Sequence, residues 1–142
     1  MLDVRSHCPT NFAVEHIGDK WSLLIIRDLM FKGKRHYNEF LVAEEGVSTS
    51  VLGSRLRGLQ EAGLITRGAD TVKKSRVRYS LTQKGIDLLP MMVEMIVWSG
   101  MYDSQTAAPK SFLDAATNTR EALLAKLRAG LIEAHLNAPS QP

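Results

Sequence analysis

The chain has 142 residues, 44% of them hydrophobic and 23% charged, with a formal net charge of +3. This suffices for one domain with one core and an appended helix, and no apolar run nears the ~18 residues of a membrane span, so a soluble protein without a membrane partner is expected. The single cysteine excludes an internal disulfide framework, and the start of the chain lacks the apolar stretch of a secretory signal, which points to the cytoplasm.

Pro9 suits a first helical position, where its missing N–H is no loss, so a helix is expected from Pro9 to Ile17 with Cys8 as its N-cap. Gly18 stops it. Asp19 can cap a second helix carrying Trp21, Leu23, Leu24, Ile25, Ile26, Leu29 and Met30, ended by Gly33. After the basic stretch that contains Lys32, Lys34, Arg35 and His36, Asn38-Glu39-Phe40-Leu41-Val42 reads as a short third helix closed by Gly46. Ser48 caps a fourth helix that runs to about Ala62, with Val51, Leu52, Leu56 and Leu59 on one side and Gly63 as its stop.

Leu64-Ile65-Thr66-Arg67 and Val77-Arg78-Tyr79-Ser80-Leu81 are β-prone runs joined by a polar loop, the signature of a hairpin. Thr82 caps a further helix through roughly Gly100, rich in Leu88, Leu89, Met91, Met92, Met95, Ile96 and Trp98, with a kink expected at Pro90. The small, polar stretch from Asp103 to Lys110 opens a linker over 103–118. Asn118 with Glu121 resembles a capping box that starts a last helix over 119–136, whose Leu124, Leu127, Leu131 and Ala134 form one apolar stripe. The tail 137–142 is expected to lack order.

The resulting fold class is α+β, mainly α with a small β-hairpin: a winged helix-turn-helix domain over 8–102 with N-terminal and C-terminal dimerisation helices. On a helical wheel the fourth helix puts its leucines in one arc and Ser50, Gly53, Ser54 and Arg57 opposite. Short hydroxyls and one long donor suit a helix that enters the major groove, with Thr49 and Ser50 at the leading end. Lys73, Lys74 and Arg76 in the hairpin loop and Lys34 and Arg35 ahead of the third helix are placed to neutralise phosphates, which makes double-stranded DNA the expected partner. A solvated polar face and charge run would look similar for either segment alone. Arg55 falls at about 40° on that wheel, toward the core, and is expected to brace the helix through Glu39 or Asp28.

A thiol at a helix N-cap faces unpaired N–H groups and the positive end of the dipole, which favours the thiolate, so Cys8 is a candidate redox-sensing residue; a small capping residue without reactivity is the alternative. The methionines and tryptophan of the helix after Thr82 could line an effector pocket, but Met at helical spacing is more often core or dimer surface, so Met95 and Trp98, with Leu127 and Leu131, are candidates for a dimer interface, although the last stripe could equally pack on its own domain. His7, His16, His36 and His135 are scattered without ligand spacing, and there is no glycine-rich phosphate loop or nucleophile elbow. A non-enzymatic protein without metal or cofactor is therefore expected.

Several segments together resemble the HxlR family of bacterial transcription regulators. They are Cys8-Pro9, Ile17-Gly18-Asp19-Lys20-Trp21-Ser22-Leu23-Leu24-Ile25, Arg35-His36-Tyr37-Asn38-Glu39-Phe40, Gly46-Val47-Ser48, Val51-Leu52-Gly53-Ser54-Arg55-Leu56-Arg57, Gly63-Leu64-Ile65 and Tyr79-Ser80-Leu81-Thr82-Gln83-Lys84-Gly85. The resemblance implies a homodimer on a pseudo-palindromic operator. By the family pattern Ser50, Ser54 and Arg57 match the recognition helix and Lys73, Lys74 and Arg76 the wing, while Gly53 departs from the longer polar residue often found there. It also implies an oxidant, quinone or aldehyde effector acting on Cys8, and repression is the simplest outcome because it needs only occupancy. A non-covalent small-molecule ligand in control of the same fold, and a winged-helix protein-interaction module, are the competing readings; cations on the wing and outer helix face weigh against the second.

Overall fold

The computed structural model describes residues 4–136, and the tail 137–142 lies outside them. Ten elements follow in order: α1 Pro9–Ile17, α2 Ser22–Phe31, α3 Tyr37–Leu41, α4 Thr49–Glu61, β1 Ile65–Ala69, β2 Val77–Leu81, α5 Gln83–Ile86, α6 Leu89–Tyr102, α7 Lys110–Asn118 and α8 Arg120–His135. The core is built where their apolar faces meet. Ile26 and Leu29 of α2, Phe40 of α3, Leu52, Leu56 and Leu59 of α4 and Ile65, Leu81, Ile86, Leu89 and Val93 beyond it are all essentially buried. The 4-then-3 spacing of the α4 leucines puts them on one side, which is why this helix packs inward with its opposite side free.

Local chemistry sets the element boundaries. The Asp19 carboxylate accepts from the backbone N–H of Trp21 at 2.8 Å and of Ser22 at 2.9 Å and so caps the entry to α2. Between α3 and α4 the chain turns at Gly46, whose φ of +73° would strain an L side chain. Ser48 then accepts from Val51 N–H and starts α4. Gly85 is required for another reason: a Cβ there would run into the Leu64 carbonyl oxygen, so α5 can approach the start of β1 only without a side chain. The hairpin is antiparallel, with Ile65 opposite Leu81 and Ala69 opposite Val77.

Three expectations are corrected. Pro90 does not kink one long helix; the chain breaks between α5 and α6, and Pro90 takes an early position of α6, where it needs no N–H partner. The stretch 103–118 is a loop only as far as Pro109, after which Lys110–Asn118 form α7. Pro109 is the N-cap of that helix, and Phe112, Leu113 and Ala116 give it an apolar side. Ala116 is fully buried, Leu113 packs against Gly100 of α6, and Phe112 meets Phe31 edge-on at 6.2 Å. The last helix starts at Arg120 after Thr119 with no side-chain cap, so the Asn118–Glu121 capping box does not form.

α8 lies back on the domain, and Leu131, expected at a dimer interface, is buried in its own chain. At its end His135 Nδ1 accepts the Leu81 backbone N–H at 3.0 Å. Burial, then the nearby Arg35 charge, lower the His135 pKa to about 4, against the opposing pull of the Leu29 carbonyl. A depressed histidine pKa makes the fold more stable as pH rises from about 4 to 6.5, because the unfolded chain binds the proton more readily across that window. Denaturant unfolding of the wild type is expected to gain about 1–2 kcal/mol over this range, after screening by solvent, and His135→Gln to flatten that dependence.

Candidate nucleic-acid interface

The residues expected to meet DNA separate into two groups. On α4, Thr49, Ser50, Ser54 and Arg57 are exposed along one side, with Ser48 exposed at the cap. Gly53 lies between them, and the Arg57 guanidinium lies along the helix beside it, Nη1 at 3.5 Å, an ordinary contact distance, from where a Cβ would stand. Behind this face Tyr37 donates its hydroxyl to the Thr49 carbonyl at 3.0 Å and ties α3 to the start of α4.

The hairpin loop is organised by Asp70, a buried residue that its cationic neighbours overshadow in the sequence. Its carboxylate accepts from Val72 N–H at 3.1 Å, Lys73 N–H at 2.9 Å, Arg76 Nη2 at 3.2 Å and His36 Nε2 at 2.7 Å. The Lys73 amide above all, and then His36, hold its pKa far below the usual carboxylate range. The Asp-Thr-Val-Lys turn is the local signal, since Asp bonding amides two and three residues on is a common turn device. Its effect is to fix the loop with the side chains of Lys73 and Lys74 exposed. Arg76 is half exposed and shares its charge with Asp70.

His36 connects this loop to the helix-turn-helix. Its other ring nitrogen lies 2.6 Å from Glu39 Oε1, and Glu39 also accepts from the Arg35 and His36 backbone N–H groups at the start of α3. Arg35 is a bracket between elements. Its Nε donates to the Tyr79 carbonyl at 2.7 Å, Nη2 to Ser80 Oγ at 2.6 Å and Nη1 to the Ala134 carbonyl at 3.3 Å, and its own carbonyl accepts Tyr79 N–H at 2.8 Å. Burial, then the Arg78 charge, lower its pKa. Its donors are thus committed to β2 and α8, leaving little for phosphate, which contradicts its expected DNA contact. Lys34 is likewise turned inward, 3.5 Å from the buried Asp28 with its side chain 18% exposed. The causes differ: Arg35 is claimed by β2 and α8, far along the chain, whereas Lys34 turns back onto Asp28 of the helix it follows, its own amide bonding the Asp28 carbonyl at 3.1 Å.

Arg55 braces α4 as expected but through another partner, its Nε lying 3.1 Å from Asp19 Oδ1. Asp28 is occupied by Arg27 and Lys34, and Glu39 by His36 and two amides.

Two further features lie away from this face. Cys8 is exposed at the N-cap of α1, and although no N–H bonds its sulfur outright, the Asn11 amide and then that of Thr10 lower its pKa. Along the outer side of α6, Met95, Trp98, Met101 and Tyr102 are exposed, Trp98 by 63%, and the Trp98 and Tyr102 rings lie 5.5 Å apart. Phe12 and Val14 expose apolar surface on α1. Met101, Tyr102, Phe12 and Val14 were missed in the sequence, because the exposure of an apolar side chain is legible only once the fold shows which side faces out. Leu127 is half-buried, facing a cleft within the chain. Among the described residues no group of three or more His, Cys, Asp or Glu side chains could hold a metal, and no helix is long and apolar enough to cross a membrane.

The model of the HxlR-like helix-turn-helix family matches residues 16–107, which contain α2 to α6 and the hairpin. The HTH-type transcriptional regulator sll1512 of Synechocystis sp. is 40% identical over 88 residues, which cover 62% of this chain and 64% of the relative, so about a third of that relative has no counterpart in the match. Among solved structures, PA1607 is 34% identical with a TM-score of 0.64, covering 75% of this chain and 70% of its own. The redox regulator HypR in its oxidised form is 30% identical with a TM-score of 0.59, covering 66% of this chain and 96% of its own. An exposed small polar face on a capped helix, a cationic hairpin beside it and a family match over most of the folded chain lead to one conclusion: the protein is a winged helix-turn-helix member of the HxlR-like family of transcriptional regulators.

Proposed function

We propose that the protein binds a pseudo-palindromic DNA operator as a homodimer and represses transcription by occupying it. The observation that carries this reading is the outer side of α4, where Thr49, Ser50, Ser54 and Arg57 stand exposed on a helix whose other side is locked into the core. Short hydroxyls let such a helix approach base edges, and Arg57 over the bare Gly53 supplies a donor long enough for a guanine. Lys73 and Lys74, held out by the Asp70 turn, supply phosphate contacts beside the groove. The outer side of α6 with Met95 and Trp98 supplies the self-complementary apolar surface of a two-fold dimer.

Selection of duplexes from a random pool tests this directly. The expected product is an inverted repeat whose half-sites lie about 10 base pairs apart, one helical turn, or a multiple of it. A pool that stays random at low ionic strength, or enrichment of single half-sites by a monomer, contradicts the reading.

The Cys8 thiol is the proposed switch. It is exposed, its pKa is lowered by the α1 amides, and the similar HypR is a redox regulator. With one cysteine per chain, oxidation yields an intersubunit disulfide or a mixed disulfide, and a quinone or aldehyde yields an adduct. Cys8→Ser is expected to bind the selected duplex as the reduced wild type does and to ignore diamide and benzoquinone in a gel-shift titration. A diamide response that persists in Cys8→Ser removes the switch.

A further inference from the structure

Between α2, α6 and the segment that leads into α7, the surface opens into a cleft of about 670 Å3, within the roughly 300–1,000 Å3 span of sites that hold one small molecule. Its walls are apolar, with Met30 and Phe31 from α2, Met92 and Ile96 from α6, Phe112 from α7 and Leu127 from α8. The family match ends at residue 107, so the wall made by Phe112 and Leu127 belongs to the part of the chain beyond it.

Two cations border the cleft, Arg27 and Lys32, and no carboxylate is among its lining residues. Arg27 is committed: it donates to Glu45 at 2.8 and 3.1 Å and lies 2.9 Å from Asp28. Lys32 is exposed, at the C-cap of α2, and forms no ion pair among the described residues. A half-buried serine, Ser99, adds a hydroxyl. An apolar body with a single negative charge fits this set, because a neutral hydrocarbon leaves Lys32 unused and a polyanion finds only one cation free to meet it.

We propose that the cleft binds an aromatic or short-chain monocarboxylate, its carboxylate at Lys32 Nζ and its apolar body against Met92, Ile96 and Phe112. The site is separate from the α4 face and from Cys8. It is tied to the wing by one element, because α8 supplies Leu127 to the cleft and, two turns on, His135 to the Leu81 amide.

The test is titration of the full chain with 1-naphthoate in a calorimeter. One site per chain is expected, with a dissociation constant on the order of 0.1 mM. Ala108→Trp, which puts an indole into the mouth of the cleft beside Phe112, is expected to weaken binding at least tenfold. Lys32→Gln is expected to weaken it about three- to fivefold while leaving the binding of neutral 1-naphthamide unchanged. Circular dichroism melts establish that each variant is folded, and if Ala108→Trp is not, Ala107→Trp at the exposed rim is read in its place. Naphthoate affinity unchanged in Ala108→Trp overturns the proposal, as does binding lost in Trp98→Ala on the outer side of α6, or no detectable binding at about 5 mM. The readout uses no DNA, so its failure and a failure of the operator reading are distinguishable.

Discussion

Arg57→Ala is expected to lower affinity for the selected duplex about thirtyfold per half-site while leaving the melting temperature within a degree or two of wild type. The side chain is exposed, has no ion pair among the described residues, and stands beside Gly53 on the outer side of α4. Removing it therefore costs the fold almost nothing, since surface changes away from caps and pairs are nearly neutral. In the complex the same side chain is the one long donor on a face of small residues, and a bidentate arginine–guanine contact is worth about 1–3 kcal/mol of discrimination. Because the contact specifies sequence, affinity for unrelated duplex should fall far less than affinity for the operator, which fluorescence anisotropy with both duplexes measures. Equal losses on the two would make Arg57 a phosphate contact.

Arg35→Ala should give the reverse pattern, a loss of stability of about 2–3 kcal/mol read by chemical denaturation. Three donors from one guanidinium hold the Tyr79 carbonyl, Ser80 Oγ and the Ala134 carbonyl, so its removal frees β2 and α8 together. Hydrogen bonds from a charged donor contribute more than neutral ones, and the Tyr79 carbonyl left behind in a part-buried site stays unpaired. Arg35→Lys should recover less than half of the loss, because an ammonium cannot present a planar fork to two acceptors at once. Unchanged stability with lost DNA binding would return Arg35 to the phosphate-contact role read from the sequence.

The contrast between these two arginines shows what the sequence makes visible. Arg57 lies on a long helix whose buried leucines repeat at three and four residues, so its direction follows from periodicity alone. Arg35 lies in a run of cations, and a run of like charge normally means a solvated segment; its inward direction depends on Tyr79, Ser80 and Ala134, which are 44 to 99 residues away. The bracing role of Arg55 was legible from the wheel and its partner Asp19, 36 residues away, was not, while Lys34 turns back onto Asp28 only six residues before it. The hairpin was legible from its two β-prone runs, whereas the posture of its loop was not, because it rests on Asp70 reaching back to His36. α7 was obscured by Pro109, which ends a helix or begins one depending on whether Phe112, Leu113 and Ala116 find a surface, here α6 and α2. Cys8 at the cap of α1 was visible, and its exposure was not.

The measurement that tests the DNA reading most directly is the dependence of duplex affinity on salt, in the wild type and in a Lys73→Ala/Lys74→Ala double variant. Each phosphate neutralised contributes about 0.9 to the slope of log K against log salt, so losing two lysines from each of two subunits should flatten the slope by roughly three to four. The wild type should also prefer its selected operator over random duplex at every salt concentration. A slope that stays the same in the double variant, or a wild type that distinguishes no duplex from any other when reduced and at low salt, would contradict the placement of α4 and the hairpin on DNA.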